Sequence, residues 1–193
     1  YDLLEPETIS PETLPTLDIP PLGKLYKVVF REEHTVRPKV KNIDGQTDSN
    51  SNSDEAPPAL FKLEDYFEHP EKYESAFDRY LPHLDILVNG IFWTPRNPKL
   101  VTREYLKELF TPASGDKRPR LTVIGDIGCD IEGAIECTMK VTTPDSPSFT
   151  YFPEDGRIVD EVRDGGIVVM AVDNLPCELP REASTEFSKV LVN

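Results

Sequence analysis

The sequence predicts an α/β fold, a parallel sheet with flanking helices, and three observations carry that prediction. First, Asp85-Ile86-Leu87-Val88-Asn89-Gly90-Ile91, Leu121-Thr122-Val123-Ile124-Gly125 and Gly166-Ile167-Val168-Val169-Met170-Ala171-Val172 are short, continuous apolar runs. Such runs have strand length and belong to sheets covered on both faces. Second, they alternate with segments of helical character at 102–110 and 179–191, the pattern of strands joined by helical crossovers. Third, each run ends in polar, small or aromatic residues: Asn89-Gly90-Ile91-Phe92-Trp93, Asp126-Ile127-Gly128-Cys129-Asp130 and Asp173-Asn174-Leu175-Pro176. In open parallel sheets ligands bind beyond the carboxyl ends of the strands, so these three tips are the candidate site.

Taken in chain order, residues 1–5 read as a short strand stopped by Pro6. Pro6, Pro11, Pro15, Pro20 and Pro21 follow and break any long helix there, because proline removes a backbone donor and clashes with the preceding turn. Residues 24–30 read as extended. From 41 to 58 the chain is mostly Asn, Ser, Asp, Gln and Pro, too polar to bury a core and predicted to be a disordered loop. This break divides the chain into 1–41, a polar loop at 42–58, and 59–193. Between 63 and 81 aromatic and charged residues alternate at near-helical spacing, interrupted by Pro70. Phe61, Tyr66, Phe67, Tyr73, Phe77 and Tyr80 supply an apolar face that reads as core packing rather than a stacking platform. Thr102 is the expected N-cap of the helix at 102–110.

Composition excludes several function classes. The chain of 193 residues carries a formal net charge of −14, with Lys and Arg forming no dense stripe. Such a surface repels phosphate backbones, so nucleic acid is not an expected partner. No apolar run approaches the roughly 20 residues of a membrane helix. Three cysteines, Cys129, Cys137 and Cys177, without a C-x-x-C pair argue against a disulfide framework or a zinc ribbon and point to a reducing intracellular compartment. The first residues resemble neither a signal peptide nor a basic transit peptide. The chain lacks an initiator Met and reads as a piece of a longer one.

Individual reactive side chains read as structural. Asp126 and Asp130 stand four apart, but no neighbouring His or third carboxylate completes a metal sphere. Cys129, at a strand end with no His nearby in sequence, reads as a small buried residue rather than a nucleophile. His34, His69 and His83 are scattered, and His34 is expected at the surface. Ser184 lacks the elbow surroundings of a hydrolase nucleophile.

Several motifs resemble a known family. Asp85 to Trp93, followed by Pro98-Lys99-Leu100-Val101-Thr102, resembles the nucleotide domain of the alanine dehydrogenase and transhydrogenase superfamily. Gly125-Asp126-Ile127-Gly128-Cys129-Asp130 with Gly133-Ala134-Ile135-Glu136, and Thr142-Thr143-Pro144-Asp145-Ser146-Pro147, are similar to its saccharopine-forming branch, the lysine–2-oxoglutarate reductases. Ala171-Val172-Asp173-Asn174-Leu175-Pro176 through Leu179-Pro180-Arg181-Glu182-Ala183-Ser184 is the most specific match. The resemblance covers residues 60–193 well and the first forty weakly. Glu132 departs from it, standing where relatives often carry glycine.

The resemblance implies a partial Rossmann-like sheet, the C-terminal half of the reductase, and a nicotinamide cofactor, NAD or NADP. It implies that Glu5 lies near the adenosine ribose and Phe92 against the adenosine. Ile127 would sit beside the ribose, and Val172, Asp173, Asn174 and Leu175 around the nicotinamide. Asp130 and Arg181 are the implied substrate contacts. The substrates implied are lysine and 2-oxoglutarate, joined and reduced to saccharopine; a homo-oligomer is expected by analogy alone. No G-x-G-x-x-G phosphate loop occurs in the chain, and the family's acid–base pair lies upstream, so no catalytic residue is assigned. Two competing readings are an inactive regulatory or interaction module of the same fold and an alanine dehydrogenase-like enzyme.

Overall fold

The computed structural model describes residues 5–17, 24–39, 61–111 and 119–192. The polar segment at 42–58 and residues 1–4 lie outside them. The chain divides into two units, the first made of residues 1–83 and 94–100, the second of 84–93 and 101–193.

In the first unit, strand β1 (Glu7–Ile9) pairs in parallel with β2 (Tyr26–Val28), Glu7 opposite Tyr26. Of the strand expected at 1–5 only Glu5 is described, and it is not in a strand, its backbone being left-handed at φ 47°; β1 begins after Pro6. Proline has no N–H for a ladder and sits readily ahead of a strand's first paired residue. The short helix α1 (Glu32–Thr35) leads into β3 (Val36–Pro38), which pairs antiparallel with β4 (Tyr73–Ser75). Helix α2 spans Leu63–Glu68. It ends there because the residue before a proline is pushed out of the helical region: His69, at φ −131° and ψ 57°, precedes Pro70, which opens a 3-10 turn over Pro70–Lys72.

The aromatic stripe is therefore not one helix but a helix, a turn and a strand. Tyr66, Tyr73, Phe77 and Tyr80 are all buried, as core packing requires, whereas Phe67 is exposed. Tyr66 and Tyr73 meet edge to face at 5.3 Å, with Val36 and Phe61 beside them, and Phe30 contacts Phe77 at 4.9 Å and Tyr80 at 4.8 Å. Such pairs add about 0.5–1.5 kcal/mol beyond area burial. His34, expected at the surface, is instead largely covered, 16% exposed, and its Nδ1 accepts a hydrogen bond from Arg31 N at 3.0 Å. A ring nitrogen that satisfies an otherwise unpaired amide at a helix start explains the difference.

The second unit is a five-stranded sheet. Its strands are β5 (Ile86–Asn89), β6 (Val123–Asp126), β7 (Ser148–Tyr151), β8 (Ile158–Val159) and β9 (Ile167–Met170), in the order β5-β6-β9-β7-β8. The three strands read from sequence, β5, β6 and β9, are mutually parallel. The sheet is nevertheless mixed, because β7 pairs antiparallel with β9 and β8 antiparallel with β7. The strands are not all covered on both faces: Ile86 and Val88 are each 48% exposed while Leu87 is buried, the alternation of an edge strand with one open face. The core holds Leu87, Val101, Leu106, Leu121, Ile124, Ile135, Phe149, Tyr151, Ile167 and Val169.

Helix α3 (Arg103–Phe110) starts where its cap predicts, the Thr102 hydroxyl accepting from Tyr105 N at 3.2 Å. It buries Leu106 completely, worth roughly 1.5–3 kcal/mol. Gly166 permits close packing at the start of β9, since a Cβ there would fall 2.6 Å from both Thr150 Cγ2 and Tyr151 O. Helix α4 (Pro180–Val192) closes the described chain without burying a residue. No helix among the described residues is long and apolar enough to cross a membrane.

Candidate functional site at the strand tips

Parallel strands place their carboxyl ends side by side, and the register does so here: Asn89 pairs with Asp126 across β5 and β6, and Gly125 with Met170 across β6 and β9. At this end Asn89 is 3% and Asp126 1% exposed, and buried polar groups must be hydrogen-bonded. Asn89 Nδ2 donates to Asp126 Oδ1 at 2.8 Å, and the Thr138 hydroxyl donates to Asp126 Oδ2 at 2.6 Å. The two tips are also joined through the backbone, Ile127 N donating to Asn89 O at 2.8 Å.

Beyond this polar layer the surface is open. Phe92 is 90% exposed, Ile127 43%, and Ile131 59%, and a Cβ at Gly90 would meet nothing within 4 Å. Gly128 lies between the tips, a Cβ there reaching 3.5 Å from Asp126 Oδ1, 3.6 Å from Asp130 Oδ2 and 3.7 Å from Asn89 Nδ2. Asp130 is held by a tight turn in which Gly133 N donates to its carbonyl at 2.9 Å. Cys129 and Glu132 have left-handed backbones, φ 54° and 52°. An L side chain is strained at such a backbone.

The third tip is built differently. Val172 is 4% exposed and bridges Thr142 in parallel, so it is buried beneath this tip. Thr142 extends the sheet past β9: its N donates to Ala171 O at 2.8 Å and its hydroxyl accepts from Ala171 N at 3.1 Å. Asp173 and Asn174 are exposed and Leu175 half-buried. Asn174 has φ 63° and starts a 3-10 turn over Leu175–Glu178, a conformation asparagine tolerates better than most residues.

Carboxylates of the second and third tips both act on Cys129. Burial, then the carboxylates of Asp126, Asp173 and Asp130, hold its thiol above the usual range. The thiol donates to Asp126 O at 3.2 Å. A thiol so placed is a poor nucleophile. Among the described residues no group of three or more His, Cys, Asp or Glu is arranged to hold a metal ion.

The candidate residues therefore separate. Phe92, Ile127, Asp130, Val172, Asp173, Asn174 and Leu175 stand on the three tips of the second unit. Arg181 is exposed in the first turn of α4, where the helix dipole disfavours a cation. Glu5 belongs to the first unit and is exposed. Sequence reasoning missed Asn89, Asp126, Thr138 and Thr142 as supports of the site. Asn89 and Asp126 were visible at the strand ends, but nothing local marks Thr138 as their partner.

Residues present at the tips fit a nucleotide. Exposed apolar side chains beside open space suit a flat ring, and the exposed polar side chains of Asp173 and Asn174 suit an amide or ribose. Residues 35–193 match the family described as alanine dehydrogenase/PNT, C-terminal domain. An alpha-aminoadipic semialdehyde synthase of Arabidopsis thaliana is 37% identical over 136 residues, 70% of this chain and 12% of the plant protein. The mitochondrial alpha-aminoadipic semialdehyde synthases of Mus musculus and Bos taurus are 33% and 34% identical over 180 residues, 88% of this chain and 18% of each relative. The chain thus spans less than a fifth of the length of these relatives. By the family match and these identities, the chain belongs to the alanine dehydrogenase/PNT C-terminal domain family.

Proposed function

We propose that this chain is the nucleotide-side part of a reductase that joins L-lysine to 2-oxoglutarate and yields saccharopine. The observation that carries the reading is the similarity to alpha-aminoadipic semialdehyde synthases across 88% of the chain; the family match at residues 35–193 includes the turns at Asp126 and Asp173. The lysine side-chain amine attacks the keto carbon of 2-oxoglutarate, water leaves, and the resulting imine takes up a hydride and a proton. The cofactor, NADH or NADPH, supplies the hydride when bound.

This chain's own residues bind and orient. Phe92 and Ile127 offer the apolar surface for the adenosine and its ribose. Val172, Asp173, Asn174 and Leu175 surround the nicotinamide, Asp173 accepting from its amide or from the substrate amine. Asp130 and Arg181 face the substrates, Arg181 toward a carboxylate. Glu5 as a ribose contact rests on the resemblance alone. A reducing intracellular setting accords with three free cysteines.

The test is oxidation of NADPH and of NADH by the full-length gene product, with lysine and 2-oxoglutarate added singly and together. Oxidation that requires both substrates supports the reading and identifies the cofactor. Activity with pyruvate and ammonia instead would replace it with an alanine dehydrogenase, and a folded but inert product would replace it with an inactive module.

A further inference from the structure

A buried carboxylate is costly to retain, and nothing about a parallel sheet requires one at a strand end. Asp126 is such a group, met by two neutral donors, Asn89 Nδ2 and Thr138 Oγ1. Each donor residue is also fastened to a ligand-facing turn. Asn89 Oδ1 accepts from Ile91 N at 3.4 Å, one residue before Phe92, and Asn89 O accepts from Ile127 N at 2.8 Å. Thr138 O accepts from Glu132 N at 3.0 Å, and Asp126 O accepts from the Cys129 thiol at 3.2 Å. The turn from Ile127 to Glu132 is thus held at its start, middle and end by one network. Two of its residues, Cys129 and Glu132, have left-handed backbones, a strain that persists only where the surroundings over-determine it.

We infer that Asn89, Asp126 and Thr138 are positioning residues of the nucleotide site, fixing the turn that presents Ile127 and Asp130. The inference rests on the nucleotide-binding reading of the strand tips. Losing the Thr138 hydroxyl leaves Asp126 Oδ2 without its partner and frees the turn to rearrange, so that binding must first restore its shape. Stability alone does not produce this effect, since a fully folded variant with an unaltered turn binds as the wild type does.

The experiment is direct binding of NADPH and NADH to the full-length gene product, followed by the fluorescence of the reduced nicotinamide. Four proteins are compared: wild type, Thr138→Val, Thr138→Ser and Ile124→Val. Ile124 is fully buried on β6, and its shortening lowers Tm without touching the network. Thr138→Val is expected to weaken binding about tenfold, the scale of one lost hydrogen bond to a charged group. Thr138→Ser is expected to restore most of it, and Ile124→Val to bind like wild type. Equal binding by Thr138→Val, or equal weakening by Ile124→Val, would overturn the inference. Wild-type protein that binds neither nucleotide would overturn the proposed function and the inference with it. If Thr138→Val does not fold, Asn89→Ala replaces it in the same comparison with the same expected loss.

Discussion

A Cβ built on Gly133 falls 2.4 Å from Asp130 Cβ and 3.0 Å from Asp130 O. The second contact is with backbone, so no rotation of a side chain relieves both. In Gly133→Ala the turn has to open, which strains the 2.9 Å bond from residue 133 N to Asp130 O and moves a candidate substrate contact. Overpacking of this kind costs about 1–3 kcal/mol. With a urea slope of about 2 kcal/mol/M, a loss of about 2 kcal/mol lowers the unfolding midpoint by about 1 M. Gly90→Ala is the opposite case. A Cβ there meets nothing within 4 Å and the backbone is not left-handed, so alanine should stabilise by about 0.4–1 kcal/mol by restricting the unfolded chain. Trp93 is the one tryptophan and belongs to the second unit with both glycines, so its emission reports both midpoints. If Gly133→Ala unfolds at the same urea concentration as wild type, or above it, the close contact in the turn is refuted.

Three further outcomes are expected. Thr102→Ala removes the hydroxyl that accepts from Tyr105 N and should cost about 1 kcal/mol, read from the same urea curves; an unchanged midpoint would show the cap to be idle. Glu132→Gly relieves a left-handed backbone at φ 52° and loses a half-exposed pair with Arg103 at 2.8 Å. The strain, about 1–2 kcal/mol, outweighs the surface pair and the added freedom of glycine, so the midpoint should rise, and a fall would count against the strain. Burial, and secondarily Asp126, push the Cys137 thiol from 9.0 up to about 12. The unfolded chain therefore ionises first. Stability tied to the protonated thiol is whole below pH 9.0 and is lost as pH climbs toward about 12, at up to about 1.4 kcal/mol per pH unit. Cys137→Ala should show a shallower alkaline decline in urea melts, and matching slopes would argue against the assignment.

The sequence by itself determined what local chemistry can specify. Continuous apolar runs marked β5, β6 and β9, and a threonine ahead of an amphipathic stretch marked the start of α3, because strand burial and helix capping act within a few residues. The same runs placed the three candidate tips at one end of the sheet, since the carboxyl ends of parallel strands finish on one side. Tertiary structure decided the rest, through contacts that no local signal announces. Tyr73 left the helical stripe because Pro70 ended α2 and an antiparallel partner, β3, was available 37 residues earlier, as in the pairing of Arg37 with Glu74. β7 and β8 were missed because Phe149-Thr150-Tyr151 is short and lies near Pro147 and Pro153; its pairing with β9 depends on a distant strand. At the site, the sequence displayed Asp126 as one of two carboxylates four apart. Only folding could bury it against Asn89, 37 residues away, and Thr138, 12 residues away, because a buried charge is tolerable only after the chain has brought its hydrogen-bond donors to it.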